Sequence, residues 1–370
     1  MDLLLQPGFW DDHDAEARVL VNPRLGWDVT PLEAWAGHQS ELQGHLLLGT
    51  SGSTGVSKWM ALSRQAFLAS AQAVNSHLKS TSQDRWLLAL PLFHVGGLGV
   101  LARARLSGAD VAAVPVPWSA AGFVETCRTT QATLSALTPT QFSDLVASSL
   151  TAPASLRALV VGGGALSRSD SRAARRLGWP VLESYGLTEA ASQVATAEPG
   201  EASEESGMVI LPHWETRTNL QGLLELRGPA LASGWVEWMG AEGILHPLAG
   251  AGGWFTTRDL VRLSGNRLEI LGRADRCVKV GGELVSLDGL QEVWESVSIG
   301  PGWIAARPDA RLGHSVVLVL CEGRESDRAA SIASYDAKVA PFERIRDVIV
   351  VPHLPRSPLG KPLWRELGLR

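Results

Sequence analysis

The sequence predicts an α/β protein with mixed sheets, followed by a small α+β unit. Three observations lead there. Over residues 45–163, short apolar runs alternate with helix-like stretches, the signature of a sheet with parallel pairs. After about residue 205 the pattern changes to short strands separated by turns. From about residue 276 the chain reads as strand, helix, strand, helix, strand.

The elements follow in order. HLLLGT (45–50), RWLLALPL (85–92), ADVAAVPV (109–116), ATLSAL (132–137) and LRALVVGG (156–163) read as buried strands. SRQAFLASAQAVNSHLK (63–79) and SAAGFVETCRTT (119–130) read as helices between them. TAEPGEASEESG (196–207) is acidic and polar and reads as an exposed loop. GLLELRGPALASGWV (222–236) and GGWFTTRDLVRLSGNRLEILGR (252–273) read as antiparallel strands. CVKVGGELV (277–285) is a hairpin, followed by the helix LDGLQEVWESV, the strand SVVLVLCEG, the helix DRAASIASYDAKV and the strand RDVIVVPHL.

Composition narrows the function. With 33 basic and 38 acidic residues in 370, the net charge is −5, which argues against a general nucleic-acid binder or a basic membrane-surface protein. Cys127, Cys277 and Cys321 have neither metal-ligand spacing nor a disulfide pattern, which fits a reducing compartment. The start, MDLLLQPGFWDDHD, is too acidic for a signal peptide, and no apolar run is long enough to cross a membrane. A cytoplasmic enzyme is the expectation.

Four stretches carry chemistry. GTSGSTGVSK (49–58) packs glycines, hydroxyls and a lysine into one loop, a composition suited to phosphate. It is not a Walker A loop, because Lys58 is displaced from the last glycine. ESYGLTEAAS (183–192) offers Tyr185 to a base, Thr188 to a phosphate and Glu189 to Mg²⁺. A strand edge with a helix cap would look the same. In GWFTTRDL (253–260) and LGRADR (271–276), Asp259 and Arg273 suit ribose hydroxyls, or form a plain surface ion pair. PRSPLGKPL (355–363) carries Lys361, which alone reads as a solvated lysine.

Together, in this order, these stretches resemble the adenylate-forming superfamily of acyl-CoA synthetases, luciferase and peptide-synthetase adenylation domains. The resemblance runs from about residue 45 to the C-terminus. It implies a large N-terminal AMP-binding domain (1–274) with a small β-barrel-like part, and a small mobile C-terminal domain (275–370) turning about Asp275. It implies a phosphate loop of Thr50, Ser51, Gly52, Ser53, Thr54, Gly55 and Lys58. The adenine side falls on Gly163, Gly164, Ala165, Tyr185 and Gly186, and the ribose on Asp259 and Arg273. Thr188, Glu189 and Lys361 become catalytic, with Glu189 holding Mg²⁺, and Gly281 and Gly282 face CoA. The substrates implied are ATP, a carboxylic acid and CoA, and a homodimer is compatible. Only about 45 residues precede the phosphate loop, fewer than in most members, and Ser57 stands where proline is common.

PLFHVGGLGVLARARLSGA (91–109) and LTPTQFSDLV (137–146) resemble the o-succinylbenzoate–CoA ligases of menaquinone biosynthesis. That resemblance puts Arg103 on the free carboxylate of the acid, with His94 and Ser192 lining the pocket. A buried guanidinium suits a planar carboxylate, but Arg105 competes for the role. Gly96 and Gly97 either leave room in the pocket or allow helix packing. Alternatives are another acyl- or aryl-CoA synthetase, a carrier-protein loader, or a nucleotide-binding protein that has lost catalysis.

Overall fold

A computed structural model describes residues 4, 6–50, 57–166, 168–200, 207–298, 300–322, 328–356 and 362–370. Helix α1 (Pro7–Asp11), strand β1 (Arg18–Leu20) and helix α2 (Thr30–Gly37) lead into β2 (His45–Thr50) and β3 (Ser57–Ser63). Helices and strands then alternate: α3 (Arg64–Leu78), β4 (Arg85–Leu88), α4 (Val95–Ser107), β5 (Asp110–Ala113), α5 (Ala120–Thr130), β6 (Leu134–Leu137), α6 (Pro139–Ala147), β7 (Ala158–Gly162), α7 (Arg168–Arg176) and β8 (Val181–Leu187). A run of strands follows: β9 (Ser192–Thr196), β10 (Met208–Ile210), β11 (Glu215–Thr218), β12 (Leu223–Arg227), β13 (Gly234–Trp238), β14 (Gly243–Pro247), β15 (Phe255–Ser264) and β16 (Arg267–Arg273). The last part is β17 (Cys277–Val280), β18 (Glu283–Ser286), α8 (Leu287–Val297), β19 (Trp303–Asp309), β20 (Gly313–Cys321), α9 (Arg328–Asp336) and β21 (Asp347–Val351).

The mixed α/β architecture expected from the sequence is present. Among the described residues the strands form three sheets. The largest has the order β11-β12-β15-β16-β10-β9-β8-β7-β6-β4-β5. Its β8-β7-β6-β4-β5 part is parallel, and the rest is antiparallel. The second sheet is β1-β2-β3-β13-β14, and the third is β18-β17-β20-β19 with β21 parallel to β20. The antiparallel strands expected over 222–273 thus divide between the first and second sheets.

Alternation along the parallel strands explains the layering. Trp86, Leu88, Leu134, Ala136, Ala158 and Val160 point into one core, which α3 and α4 cover with Phe67, Val74, Leu98 and Leu101. Leu87, Leu137, Leu159 and Val161 point the other way, into a core shared with Phe123 of α5, Phe142 of α6 and Ala174 of α7. Helices therefore sandwich the parallel strands, as buried parallel sheet requires. The third sheet has its own core around Val285, Leu290, Trp294, Ile304, Leu318 and Tyr335.

Local signals set the helix ends. The Ser63 side chain accepts from Ala66 N to start α3, and Lys79 closes it in a left-handed conformation. A Thr138–Gln141 capping box, with Pro139 in the first turn, starts α6. Thr140 on that helix is exposed.

Candidate active site

Strands β7 and β8 end side by side, with Gly162 opposite Ser184. The turn of Gly163, Gly164 and Ala165 follows β7 and is exposed. Tyr185 and Gly186 lie on the end of β8, and Thr188 and Glu189 form the 3-10 turn after it, both half-buried. The two adenine-side stretches named from the sequence therefore meet at the carboxyl ends of neighbouring parallel strands, where open α/β sheets bind ligands.

Strands β15 and β16 bring the next pair. Asp259 and Arg273 are register partners. Arg273 Nη1 lies 2.9 Å from Asp259 Oδ1, and the Tyr185 hydroxyl donates to Asp259 Oδ2 at 2.6 Å. The remaining nitrogens of Arg273 grip Asp275, with Nε on Oδ1 at 2.9 Å and Nη2 on Oδ2 at 3.0 Å. Arg258 adds a 3.6 Å contact to Asp275. Burial, then the Asp259 charge, raise the Tyr185 phenol above its ordinary value, so it stays protonated and donates. The Asp275 hydrogen bonds raise the Arg273 pKa, and the same bonds lower that of Asp275. Tyr185, Asp259, Arg273 and Asp275 are thus one connected network. Asp259 is buried at 6% exposure, so it is more than a surface ion pair.

A second centre lies on α4. Arg103 is 2% exposed, and its Nη2 donates to Ser192 Oγ at 3.1 Å. Its Cζ stands 5.6 Å from the Trp86 ring centroid, within cation–π range. The Arg103 Nε is buried with no hydrogen-bond partner, and among the described residues no carboxylate pairs with the guanidinium. Burial lowers its pKa from the ordinary arginine value to about 10. Its main chain is fixed, since its carbonyl accepts from Asn75 Nδ2 and Ser107 Oγ, each at 2.9 Å. Arg105 points elsewhere and meets Asp11 of α1 at 2.6 Å on the surface. His94 is the half-buried residue that precedes α4.

The turn carrying Ser192 is held against its preference. Ala191 has φ +48° and Ser192 φ +120°, regions that cost non-glycine residues about 1–3 kcal/mol each. Gly186 makes the turn fit: a β-carbon there would stand 1.9 Å from the Ser192 carbonyl oxygen. The strain therefore sits in the turn that leads from Glu189 to the Arg103 hydroxyl partner.

The other predicted residues are placed as follows. Thr50 and Lys58 are register partners at the facing ends of β2 and β3, and Ser51, Gly52, Ser53, Thr54 and Gly55 lie outside the described residues. Lys58 stands on a strand with its Nζ 4.3 Å from the Trp235 ring centroid. Asp275 lies in the 3-10 turn between β16 and β17, and Gly281 and Gly282 in the β17–β18 turn. Lys361 lies outside the described residues, between the bridged Arg356 and Pro362. Sequence reasoning missed Trp86, Asn75 and Gly99 around Arg103. Gly99 had a readable signal, standing four residues before Arg103 on the same helix face.

Residues 44–227 match the family model described as AMP-binding enzyme. The chain is 34% identical over 275 residues to the 2-succinylbenzoate–CoA ligase of Salmonella typhimurium, covering 73% of this chain and 56% of that one. It therefore spans little more than half of that relative. With the 2-succinylbenzoate–CoA ligase of Bacillus velezensis it is 30% identical over 349 residues, 87% of this chain and 68% of the relative. Among solved structures, the o-succinylbenzoate CoA synthetase of Bacillus subtilis in complex with the acyl-adenylate intermediate OSB-AMP superposes with TM-score 0.77 at 25% identity, covering 87% of this chain and 68% of that one. Shared sequence over most of the chain, the same fold, and motifs gathered at the strand ends make one conclusion: the chain belongs to the AMP-binding enzyme family.

Proposed function

We propose that this protein is an ATP-dependent acid–CoA ligase whose acid is a dicarboxylate, o-succinylbenzoate. The observation that carries the reading is Arg103: a guanidinium buried in the helical layer, hydrogen-bonded to one hydroxyl and, among the described residues, facing no carboxylate. An unpaired buried charge is costly, and a second carboxylate on the substrate would supply its partner. Arg105, already engaged with Asp11, is the weaker candidate. Relatives named 2-succinylbenzoate–CoA ligase support the choice of acid.

In this reading the reaction has two steps. A carboxylate oxygen of the acid attacks the α-phosphorus of ATP, and pyrophosphate leaves with the bonding electrons. The CoA sulfur, having lost its proton, then attacks the acyl carbon and AMP leaves. Asp259, held by Tyr185 and Arg273, would accept from the ribose hydroxyls, and the turns at 163–165 and 185–186 would flank adenine. Thr188 would donate to a phosphate oxygen. Glu189 would hold Mg²⁺; among the described residues no cluster of three acidic, His or Cys ligands exists, and one carboxylate plus phosphate oxygens suits that ion. Bound there, Mg²⁺ would offset charge on the phosphates. The loop at 50–58 and Lys361 would bind the charge that builds on the phosphates. His94 and Ser192 would line the acid's path. A C-terminal domain beginning at 275 would turn about Asp275 between steps and bring Gly281 and Gly282 to the CoA side.

The test is to mix the protein with Mg·ATP and o-succinylbenzoate, with and without CoA, following pyrophosphate and acyl-CoA mass. Acid-dependent pyrophosphate release, with o-succinylbenzoyl-CoA formed only when CoA is present, is the expected result. Turnover with another acid alone would discard this substrate, and silence across a panel of acids would discard the ligase.

A further inference from the structure

We infer that Gly99 and Ser192 set the acid specificity of this protein, because together they fix where the Arg103 guanidinium sits. The inference rests on the reading of Arg103 as the partner of the acid's second carboxylate.

Gly99 precedes Arg103 by one helical turn on α4. A β-carbon at Gly99 would stand 3.0 Å from Arg103 Nη2, 3.4 Å from its Cζ and 3.4 Å from Ser192 Oγ. The missing side chain is therefore the space in which guanidinium and hydroxyl meet. The two glycines just before it do other work. A β-carbon at Gly97 would meet the Pro91 carbonyl oxygen at 2.3 Å, and one at Gly96 would meet Leu90 Cδ1 at 2.9 Å. Those two let the start of the helix pack on the preceding loop.

Neither neighbour of Gly99 gives way freely. The guanidinium lies by the ring of Trp86, which is fully buried, and Asn75 and Ser107 hold the Arg103 carbonyl. Ser192 is anchored because its carbonyl fills the space left by Gly186. A methyl at position 99 must displace the guanidinium, and removal of the Ser192 hydroxyl releases it. Either change shifts the edge that meets a carboxylate relative to the reacting end of the substrate. The spacing between the two carboxylates that the protein accepts is set here.

The experiment measures Kd by calorimetry for o-succinylbenzoate and for its two monocarboxylate analogues, 3-benzoylpropionate and 2-butyrylbenzoate. Wild type, Gly99→Ala and Ser192→Gly are compared, with the Kd of ATP as the control for general damage. Alanine is a better helix former than glycine, and glycine is at ease at φ +120°, so both variants keep the fold. The expected result is that wild type prefers the diacid over both monoacids, and that its preference over one of them, the monoacid without the carboxylate that Arg103 meets, falls by about tenfold or more in each variant, the scale of a charged hydrogen bond. ATP affinity should change by less than about twofold, well short of one hydrogen bond. A preference retained in both variants overturns the inference and leaves the reading of Arg103 standing, as does ATP affinity falling in parallel with the preference. A wild type with no preference for the diacid overturns both.

Discussion

Replacing Arg103 with methionine should make the unliganded protein more stable and its response to the diacid disappear. The guanidinium is 2% exposed and burial lowers its pKa from the ordinary arginine value to about 10, so the folded state disfavours its charge by on the order of 3 kcal/mol. The sign follows from a base whose folded pKa lies below its unfolded one. The cost is present in full below the folded value and fades as pH rises from about 10 towards the ordinary arginine value, so at pH 7.5 it applies entirely. Methionine keeps much of the stem's packing but loses the bond to Ser192, about 1 kcal/mol, and the Trp86 contact, up to about 1 kcal/mol. The net gain is about 1–2 kcal/mol, read by urea unfolding at constant slope. Diacid at about a hundredfold over its Kd should add about 2.7 kcal/mol to wild type and almost nothing to the variant, reversing their order. A variant less stable than wild type by about 1 kcal/mol or more, or one stabilised equally by the diacid, would refute the reasoning.

Three further outcomes are expected. Tyr185→Phe removes the 2.6 Å bond to Asp259 and should raise KM for ATP about tenfold with little change in KM for the acid, measured by pyrophosphate release. Lys361→Ala should cripple adenylation yet leave thioester formation from supplied acyl-adenylate largely intact; equal loss in both half-reactions would remove the lysine from its role. Asp84→Asn should cost on the order of 2 kcal/mol at pH 7. Burial opposes the charge of Asp84, but hydrogen bonds from Arg157, Thr81 and Thr133 overcome it and lower its pKa from 3.8 to about 2. That contribution is complete above the unfolded pKa and is lost as pH falls through about 2, so unfolding curves of wild type and variant should converge on acidification.

Which parts were legible follows from the kind of signal each left. The parallel strands at Leu134–Leu137 and Ala158–Gly162 announced themselves, because strands buried on both faces are continuously apolar. RWLLALPL yielded a strand only over Arg85–Leu88, since Pro91 cannot continue a central ladder. Strand β3 was hidden: SKWMALS runs straight into α3, and its pairing with β2 and β13 is a long-range fact. The choice between Arg103 and Arg105 stayed open because the residues around them are almost all apolar or small, so no stripe marks a buried face. Two positions on a helix lie about 200° apart, so one arginine had to face in and the other out, and only the packing of α4 decides which. The positive φ of Ser192 was invisible as well, since the close approach of its carbonyl to Gly186 is made across the strand pair.

The Arg273 network has a consequence for charge balance. Asp259 and Asp275 contribute two negative charges, and Arg273 and Arg258 two positive ones, so the group is neutral as drawn together. Its neutrality spans a backbone turn: both carboxylates share Arg273, while Arg258 reaches Asp275 and, within this group, not Asp259. Any rearrangement of residues 274–276 that withdraws Asp275 strips Arg273 of its bidentate partner and leaves Asp259 facing an excess of positive charge. A polyanion arriving beside Asp259 would favour that rearranged turn, and by reciprocity the rearranged turn would hold the polyanion more tightly. Occupancy of the site and the conformation of the 274–276 turn are, on this account, two readings of one electrostatic equilibrium.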